Sequence, residues 1–152
     1  MSKLSDGIIG RIRARGHLAA FTTAECHAIF DCARVRMVKE GDVAIHRGRF
    51  ADEVTWIAAG AVDVVLHTST MPHHLVELDE GHAIGMIAFL ARANHALEFI
   101  ATRPLMLVII ERDVIESALH ANDPLFGRLL MALSSGVFTQ LSLVEEAAMA
   151  DR

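Results

Sequence analysis

Residues 81–101, here called the cassette, have the layout of an anion-binding site but lack its usual charges. The run from Gly81 to Leu90 predicts a short strand, a turn at Gly85 and one turn of helix, and a second strand follows. A helix that begins after a glycine turn presents unpaired backbone N–H groups and the positive end of its dipole, which favour an anion. A site for a phosphate and a sugar would also use a carboxylate and a guanidinium, whereas this chain has Met86 and His95 there. The sequence therefore predicts the scaffold of an anion site without its charged groups.

The elements that would position these residues are short strands separated by glycine turns. Two strands, His95–Thr102 and Leu105–Ile110, are predicted at and after the end of the cassette. The pattern indicates a mainly β fold, an antiparallel β-roll or jelly roll of about eight strands within residues 34–111, with flanking helices. Five further runs rich in Val, Ile and Ala precede the cassette, at intervals of about 8–12 residues: Val35–Val38, Val43–His46, Val54–Ala58, Val62–His67 and His74–Leu78.

Helices are predicted on both sides of the strands. Thr22 and Glu25 form a capping box, so a helix begins there and is expected to extend to about Ala33. Arg112–Ala121 predicts a second helix, and Asp123 followed by proline opens a third. We therefore expect one domain over residues 1–152, with a helical region 1–33, a β-roll 34–111 and C-terminal helices 112–149.

The last predicted helix has an apolar stripe whose members recur at intervals of three and four residues, as in a heptad repeat. Such a stripe can pair with the same helix of a second copy or pack on the roll of its own chain, and the sequence leaves both open. We expect a symmetric homodimer, because the chain is 53% apolar and has apolar surface left to cover. The stripe consists of Phe126, Leu130, Leu133, Val137, Leu141, Val144 and Ala148.

Composition argues against several classes of function. An unbroken apolar run such as Leu105–Ile110 is too short to span a bilayer, and no apolar core of a signal peptide follows the N-terminus. Cys26 and Cys32 lie on one predicted helix without metal-ligand spacing, which indicates reduced thiols. We expect a cytoplasmic protein without membrane association. The net charge of −5 argues against binding to nucleic acid.

The order of these elements resembles the cyclic-nucleotide-binding domain family, which includes the sensor halves of catabolite-activator-type transcription factors. Three motifs before the cassette also match in order, namely Lys39–Val43, His46–Asp52 and Trp56–Val64, and the likeness covers about Leu18–Leu141. The resemblance implies a stand-alone, non-enzymatic sensor or regulatory domain for signal transduction. Its ligand, cyclic AMP or another cyclic nucleotide, would lie in the roll and move the C-terminal helices. No winged helix follows the last predicted helix, so we do not expect operator DNA as a partner.

The resemblance also assigns ligand-binding positions, and the cassette departs from the family at half of them. Met86 replaces the glutamate that takes the ribose hydroxyl, and His95 replaces the arginine that pairs with the cyclic phosphate. Losing two charged contacts of about 1.5–3 kcal/mol each would weaken binding by roughly 10²–10⁴. Arg92 is a candidate substitute, and binding is expected to be weak or altered. The assigned positions are Gly85 and Ala88, which match, Met86, His95 and Ala96, which differ, and Ile87.

Two alternatives from other classes remain open. One is a ligand-free protein-interaction scaffold that dimerises through the C-terminal helix. The other is a metal enzyme similar to cupins, suggested by His73, His74 and Glu77, with His67 and His82 nearby. Adjacent histidines on a strand point to opposite faces, which argues against a shared metal. No nucleophile motif is present, so no catalytic residue and no metal ligand is predicted, and the chain is not expected to be an enzyme.

Overall fold

Eight antiparallel strands form two four-stranded sheets in the structure, a computed structural model. It describes residues 4–150, except the side chains of residues 138–140, 143–144, 147–148 and 150. The strand orders are β1-β8-β3-β6 and β2-β7-β4-β5, so the predicted fold class is confirmed. The strands are β1 Arg34–Val38, β2 Val43–Ile45, β3 Glu53–Ala59, β4 Val62–His67, β5 Pro72–Leu78, β6 Ala83–Ile84, β7 Leu97–Ala101 and β8 Leu105–Glu111.

Helices lie before, within and after the strands. Their bounds are α1 Asp6–Arg15, a 3-10 helix His17–Ala20, α2 Thr23–Ile29, α3 Met86–Ala91, α4 Arg112–His120 and α5 Pro124–Ala150. The capping box predicted at Thr22 is present, with Thr22 and Glu25 each bonding the other's main-chain N–H. None of the helices described within residues 4–150 is long and apolar enough to cross a membrane.

Helix α2 is shorter than expected. It ends at Ile29 rather than near Ala33, because the chain turns at Phe30 to enter β1. The ring of Phe30 is buried edge-on against Trp56, with 5.0 Å between the ring centroids. Cys32 consequently lies beyond the helix and is exposed, whereas Cys26 is buried on it, so the prediction of both thiols on one helix was wrong.

Two apolar cores lie on opposite faces of the β1-β8-β3-β6 sheet. Leu105, Leu107 and Ile109 of β8 face the second sheet, and Val108 and Ile110 face the helices. Both faces of β8 are therefore buried, which is why its sequence is an unbroken apolar run rather than an alternating one.

Helix α5 lies on its own domain, where it packs against α2, α3, α4, the 3-10 helix and β5. Phe126 and Leu133 of the predicted stripe are buried, and Val137 packs partly on the helical core. Gly136 permits a close approach to the 3-10 helix, since a Cβ there would lie 2.5 Å from the ring of His17. The first half of the stripe thus serves the chain's own core, and the dimer stays a prediction. Val144 and Ala148 lie outside the described side chains.

Candidate functional site

The cassette folds as a strand, a glycine turn and a short helix. Gly85 is the N-cap of α3 and has φ +75°, a left-handed conformation that side-chain-bearing residues rarely adopt. A Cβ at Gly85 would also lie 2.7 Å from Cε1 of His95. Two independent constraints therefore require glycine at position 85: the left-handed backbone conformation and the imidazole that packs against the turn.

A cavity of about 310 Å³ lies between α3 and three neighbouring strands, β4, β5 and β7. Its walls are almost entirely apolar, and no charged side chain lines it in the part of the chain that the structure describes. All six positions assigned from the sequence line this one cavity. The complete described lining is Val64, Val76, Leu78, Gly85, Met86, Ile87, Ala88, Ala91, Ala93, Asn94, His95, Ala96, Leu97 and Phe99.

The assigned residues differ in how far they are covered. Met86 is 3% exposed and Ala88 is also buried, so both belong to the inner wall. Ile87 is 42% exposed and Ala96 is also exposed, so these two form part of the rim. The site is thus an apolar depression with a wide mouth.

His95 is the most deeply placed polar side chain of the lining, at 7% exposed. Its N–H donates to the carbonyl of Arg49 at 2.8 Å, and its carbonyl accepts from the N–H of Gly48 at 2.7 Å, so the main chain is held on both sides. The ring lies edge-on to Phe99. Burial lowers the pKa of His95, Arg49 lowers it further and Asp52 opposes this, so the imidazole is neutral near pH 7.

Arg92, the candidate substitute cation, is not brought to the cavity. It ends α3 in a left-handed conformation at φ 52°, and its guanidinium pairs with Glu116 on α4. It lines a separate, shallower depression together with Arg112. The guanidinium of Arg92 therefore links α3 to α4 and supplies no positive charge to the cavity.

Arg112, to which the sequence assigned no role, is only 9% exposed. Its Nη2 donates to the carbonyls of Ala51 at 2.5 Å and Phe89 at 2.8 Å, and its guanidinium lies 4.0 Å from the centre of the Phe89 ring. Arg112 thus ties the end of the cassette helix to the start of α4. A charged residue directly after a buried strand was its only signal in the sequence.

Two histidines of the suggested metal site, His67 and His74, lie on the outer face of the roll. Val64 faces the cavity, so its neighbour Asp63 faces outward by alternation, where its carboxylate bonds to Nδ1 of His74. Glu98 also faces outward, and its Oε1 lies 3.1 Å from Nε2 of His67. Among the residues that the structure describes, no three His, Cys, Asp or Glu side chains are grouped as a metal would require.

Comparison with known proteins gives one family and many similar structures. The sequence model of the cyclic nucleotide-binding domain matches residues 35–122, more than half of the chain. No curated protein matches the chain with significance.

The solved structures agree in fold over most of the chain. A cyclic nucleotide-binding domain from Methylobacillus flagellatus is 15% identical, with 97% of this chain and 83% of that one covered at a TM-score of 0.83. The domain PKAR CBD2 bound to Sp-2Cl-cAMPS is 17% identical, with 96% of this chain and 90% of that one covered at a TM-score of 0.70. A putative cyclic nucleotide-binding protein from Geobacter metallireducens is 18% identical, with 86% of this chain and 96% of that one covered at a TM-score of 0.68. At such identities these likenesses carry the fold alone.

Proposed function

Because the chain belongs to the cyclic nucleotide-binding domain family, whose model matches residues 35–122, we propose that it is a regulatory sensor domain rather than an enzyme. In this proposal a small molecule enters the cavity between α3 and the β4, β5 and β7 strands. Its binding then changes the position of helix α5. The ligand specificity differs from that of family members whose cassettes keep the glutamate and the arginine.

The observation that carries the proposal is that two walls of the cavity are also the supports of α5. Met86–Ala91 of α3 contributes one wall, and Val76 and Leu78 of β5 contribute another. Helix α5 packs on both α3 and β5. A ligand that displaces either wall therefore changes the surface on which α5 rests. The shift is possible only if the ligand binds two arrangements of α5 with different affinity.

Arg112 supplies a second route between the cavity and the C-terminal helices. It bonds the last turn of α3 at Phe89 and stands at the first position of α4, which packs on α5. Arg92 on the other side of Glu116 strengthens the same link. A movement of α3 is thus coupled to α4 by hydrogen bonds as well as by packing.

The residues present do not fit the cyclic phosphate of a cyclic nucleotide. An anion moved from water into this cavity would find no positively charged side chain among the described lining, and an unpaired buried charge is costly. His95 is the only side chain of the described lining that can become positive, and burial lowers its pKa. We therefore propose that cyclic AMP binds weakly, and better in acid than in base.

The test combines calorimetric titration with hydrogen–deuterium exchange on the wild-type chain at millimolar cyclic AMP. We expect weak binding that is stronger at pH 6 than at pH 8, because protonated His95 supplies the missing positive charge. Exchange within residues 124–150 should change in proportion to occupancy. Unchanged exchange in α5 at measured occupancy would contradict the sensor role. Micromolar binding independent of pH would show that another group holds the phosphate.

We also propose that the second half of α5 mediates the homodimer. Val137 and Leu141 are half-buried, so they retain apolar surface for a second copy. Val137→Glu together with Leu141→Glu is expected to convert a dimer into a folded monomer, as measured by light scattering and circular dichroism. Met131→Glu is the matched control, because Met131 on the same helix is 72% exposed, and it should remain a dimer.

Leu141→Glu alone separates loss of assembly from loss of folding, because Leu141, unlike Val137, is not among the partly buried side chains packed on the described core. If the double variant stays a dimer, the interface lies elsewhere. If light scattering shows that the wild-type chain is a monomer, the proposed homodimer is wrong. A dimer in which cyclic AMP leaves the exchange of α5 unchanged would favour the ligand-free scaffold instead.

A further inference from the structure

The size of the cavity limits what can occupy it. Protein interiors hold few voids larger than a water molecule, so a space of about 310 Å³ is not an ordinary packing defect. It is roughly twice the 150 Å³ of an engineered apolar cavity that binds benzene, and it lies at the lower end of the range for ligand pockets. A molecule of roughly twelve non-hydrogen atoms, about the size of two fused rings, would fill it.

The lining selects against charge. The described inner wall consists of aliphatic and aromatic side chains with one methionine, Met86, whose flexible thioether adapts to irregular apolar surfaces. Asn94 is exposed and stands at the rim. Arg49 and Asp52 influence His95 electrostatically, but neither is a lining residue. A carboxylate, phosphate or ammonium group would therefore lose its water without gaining a partner of opposite charge.

His95 offers a single polar contact inside this apolar space. No protein group within the described residues hydrogen-bonds its ring nitrogens, although the side chain is more than nine-tenths buried. Its ring is fixed in place by Gly85 on one side and by Phe99. A neutral imidazole has one donor and one acceptor nitrogen, so it suits one hydroxyl or carbonyl group.

We infer that the cavity binds an uncharged, largely apolar molecule of about two fused rings in size, held by one hydrogen bond to His95. This inference rests on the proposed function for the position of the ligand, and it adds the ligand's chemistry. The substitution of Met86 and His95 for charged residues is then a change of specificity rather than a loss of the site.

Three probes with one ring system test the inference on the wild-type chain. 2-Naphthol has the ring and a hydroxyl, naphthalene has the ring alone, and 2-naphthalenesulfonate carries a charge in place of the hydroxyl. We expect 2-naphthol to bind at least about tenfold more tightly than naphthalene and about 100-fold more tightly than the sulfonate, by NMR titration at pH 7.5. Tighter binding of the sulfonate, or no binding of 2-naphthol up to its solubility limit, would overturn the inference.

Substitutions then locate the binding. Val76→Phe fills the cavity from β5 and should abolish binding, whereas Val35→Phe makes the same change at a 46% exposed position on β1 and should leave it unchanged. Ala96→Trp blocks the exposed rim and should also abolish binding, so it replaces Val76→Phe in the test if that variant does not fold. His95→Leu should remove the advantage of 2-naphthol over naphthalene. Equal binding to wild type and to both blocked variants would place the probe elsewhere and contradict the inference.

The exchange of α5 distinguishes this inference from the proposed function. If 2-naphthol binds in the cavity and the exchange of residues 124–150 is unchanged, the ligand chemistry stands and the sensor role does not. If cyclic AMP changes that exchange and 2-naphthol is not bound, the sensor role stands and the ligand chemistry does not.

Discussion

The double substitution Met86→Glu with His95→Arg is expected to strengthen cyclic AMP binding by roughly 10²–10⁴-fold over the wild type. It restores a carboxylate for the ribose hydroxyl and a guanidinium for the phosphate at two positions that line one cavity. The cavity of about 310 Å³ has room for the longer side chain that His95→Arg introduces, and the left-handed turn at Gly85 is unchanged. Calorimetric titration of both proteins at pH 7.5 measures the gain.

The single variants and one control show whether the gain comes from the pair. His95→Arg alone places an unpaired cation in an apolar cavity, so it should bind cyclic AMP less well than the double variant and lower the free energy of unfolding. Val35→Arg adds the same charge at an exposed position on β1, outside the cavity lining, and should have little effect. No gain in a folded double variant would mean that the cavity does not admit a nucleotide. The double variant should also bind 2-naphthol more weakly than the wild type, because two charged side chains then line its cavity.

Arg112→Met is expected to lower the free energy of unfolding by about 3–5 kcal/mol. Methionine keeps much of the apolar stem, but it leaves the carbonyls of Ala51 and Phe89 without the guanidinium that bonds both. It also removes the cation stacked 4.0 Å from the centre of the Phe89 ring. For a chain of this size the melting temperature should fall by about 6–20 °C, measured by thermal and urea unfolding.

Arg103→Met is the matched control, because Arg103 is exposed in the turn before β8, and its unfolding free energy should stay within about 0.5 kcal/mol of wild type. Arg112→Lys keeps the charge but not the forked geometry of the guanidinium. Its free energy of unfolding should therefore lie between those of Arg112→Met and Arg103→Met. A melting temperature of Arg112→Met equal to that of the control would show that the buried link contributes nothing to stability.

The strands could be predicted because they depend on local pattern. Observed β4, Val62–His67, has the predicted bounds, and β8 extends only one residue beyond the predicted Leu105–Ile110. The glycines that separate the strands take positive φ angles, so their residue type alone marks the turns. Strand β7, Leu97–Ala101, begins two residues later than the predicted His95–Thr102. The end of α2 was not predicted, because a tertiary contact between Phe30 and Trp56, not a local stop signal, accompanies the turn there.

The site could be predicted only in part. The six assigned positions are close in sequence around one turn and the approach to one strand, so a local resemblance locates them together. The opposite wall depends on the pairing of Val64 with both Val76 and Phe99, residues that are far apart along the chain. No local pattern gives the register between such strands, so these lining residues were missed.

The sequence by itself determined that a turn at Gly85 would lead into a short helix, and that this cassette would lack a glutamate and an arginine at Met86 and His95. Only the tertiary structure decided that the His95 ring packs on Gly85, that Arg92 pairs with Glu116 and that Glu98 faces outward. The physical reason is that strand periodicity states which residues share a face, but not which face is covered. That choice depends on the partner sheet and helices, and here they enclose an apolar cavity with one neutral imidazole.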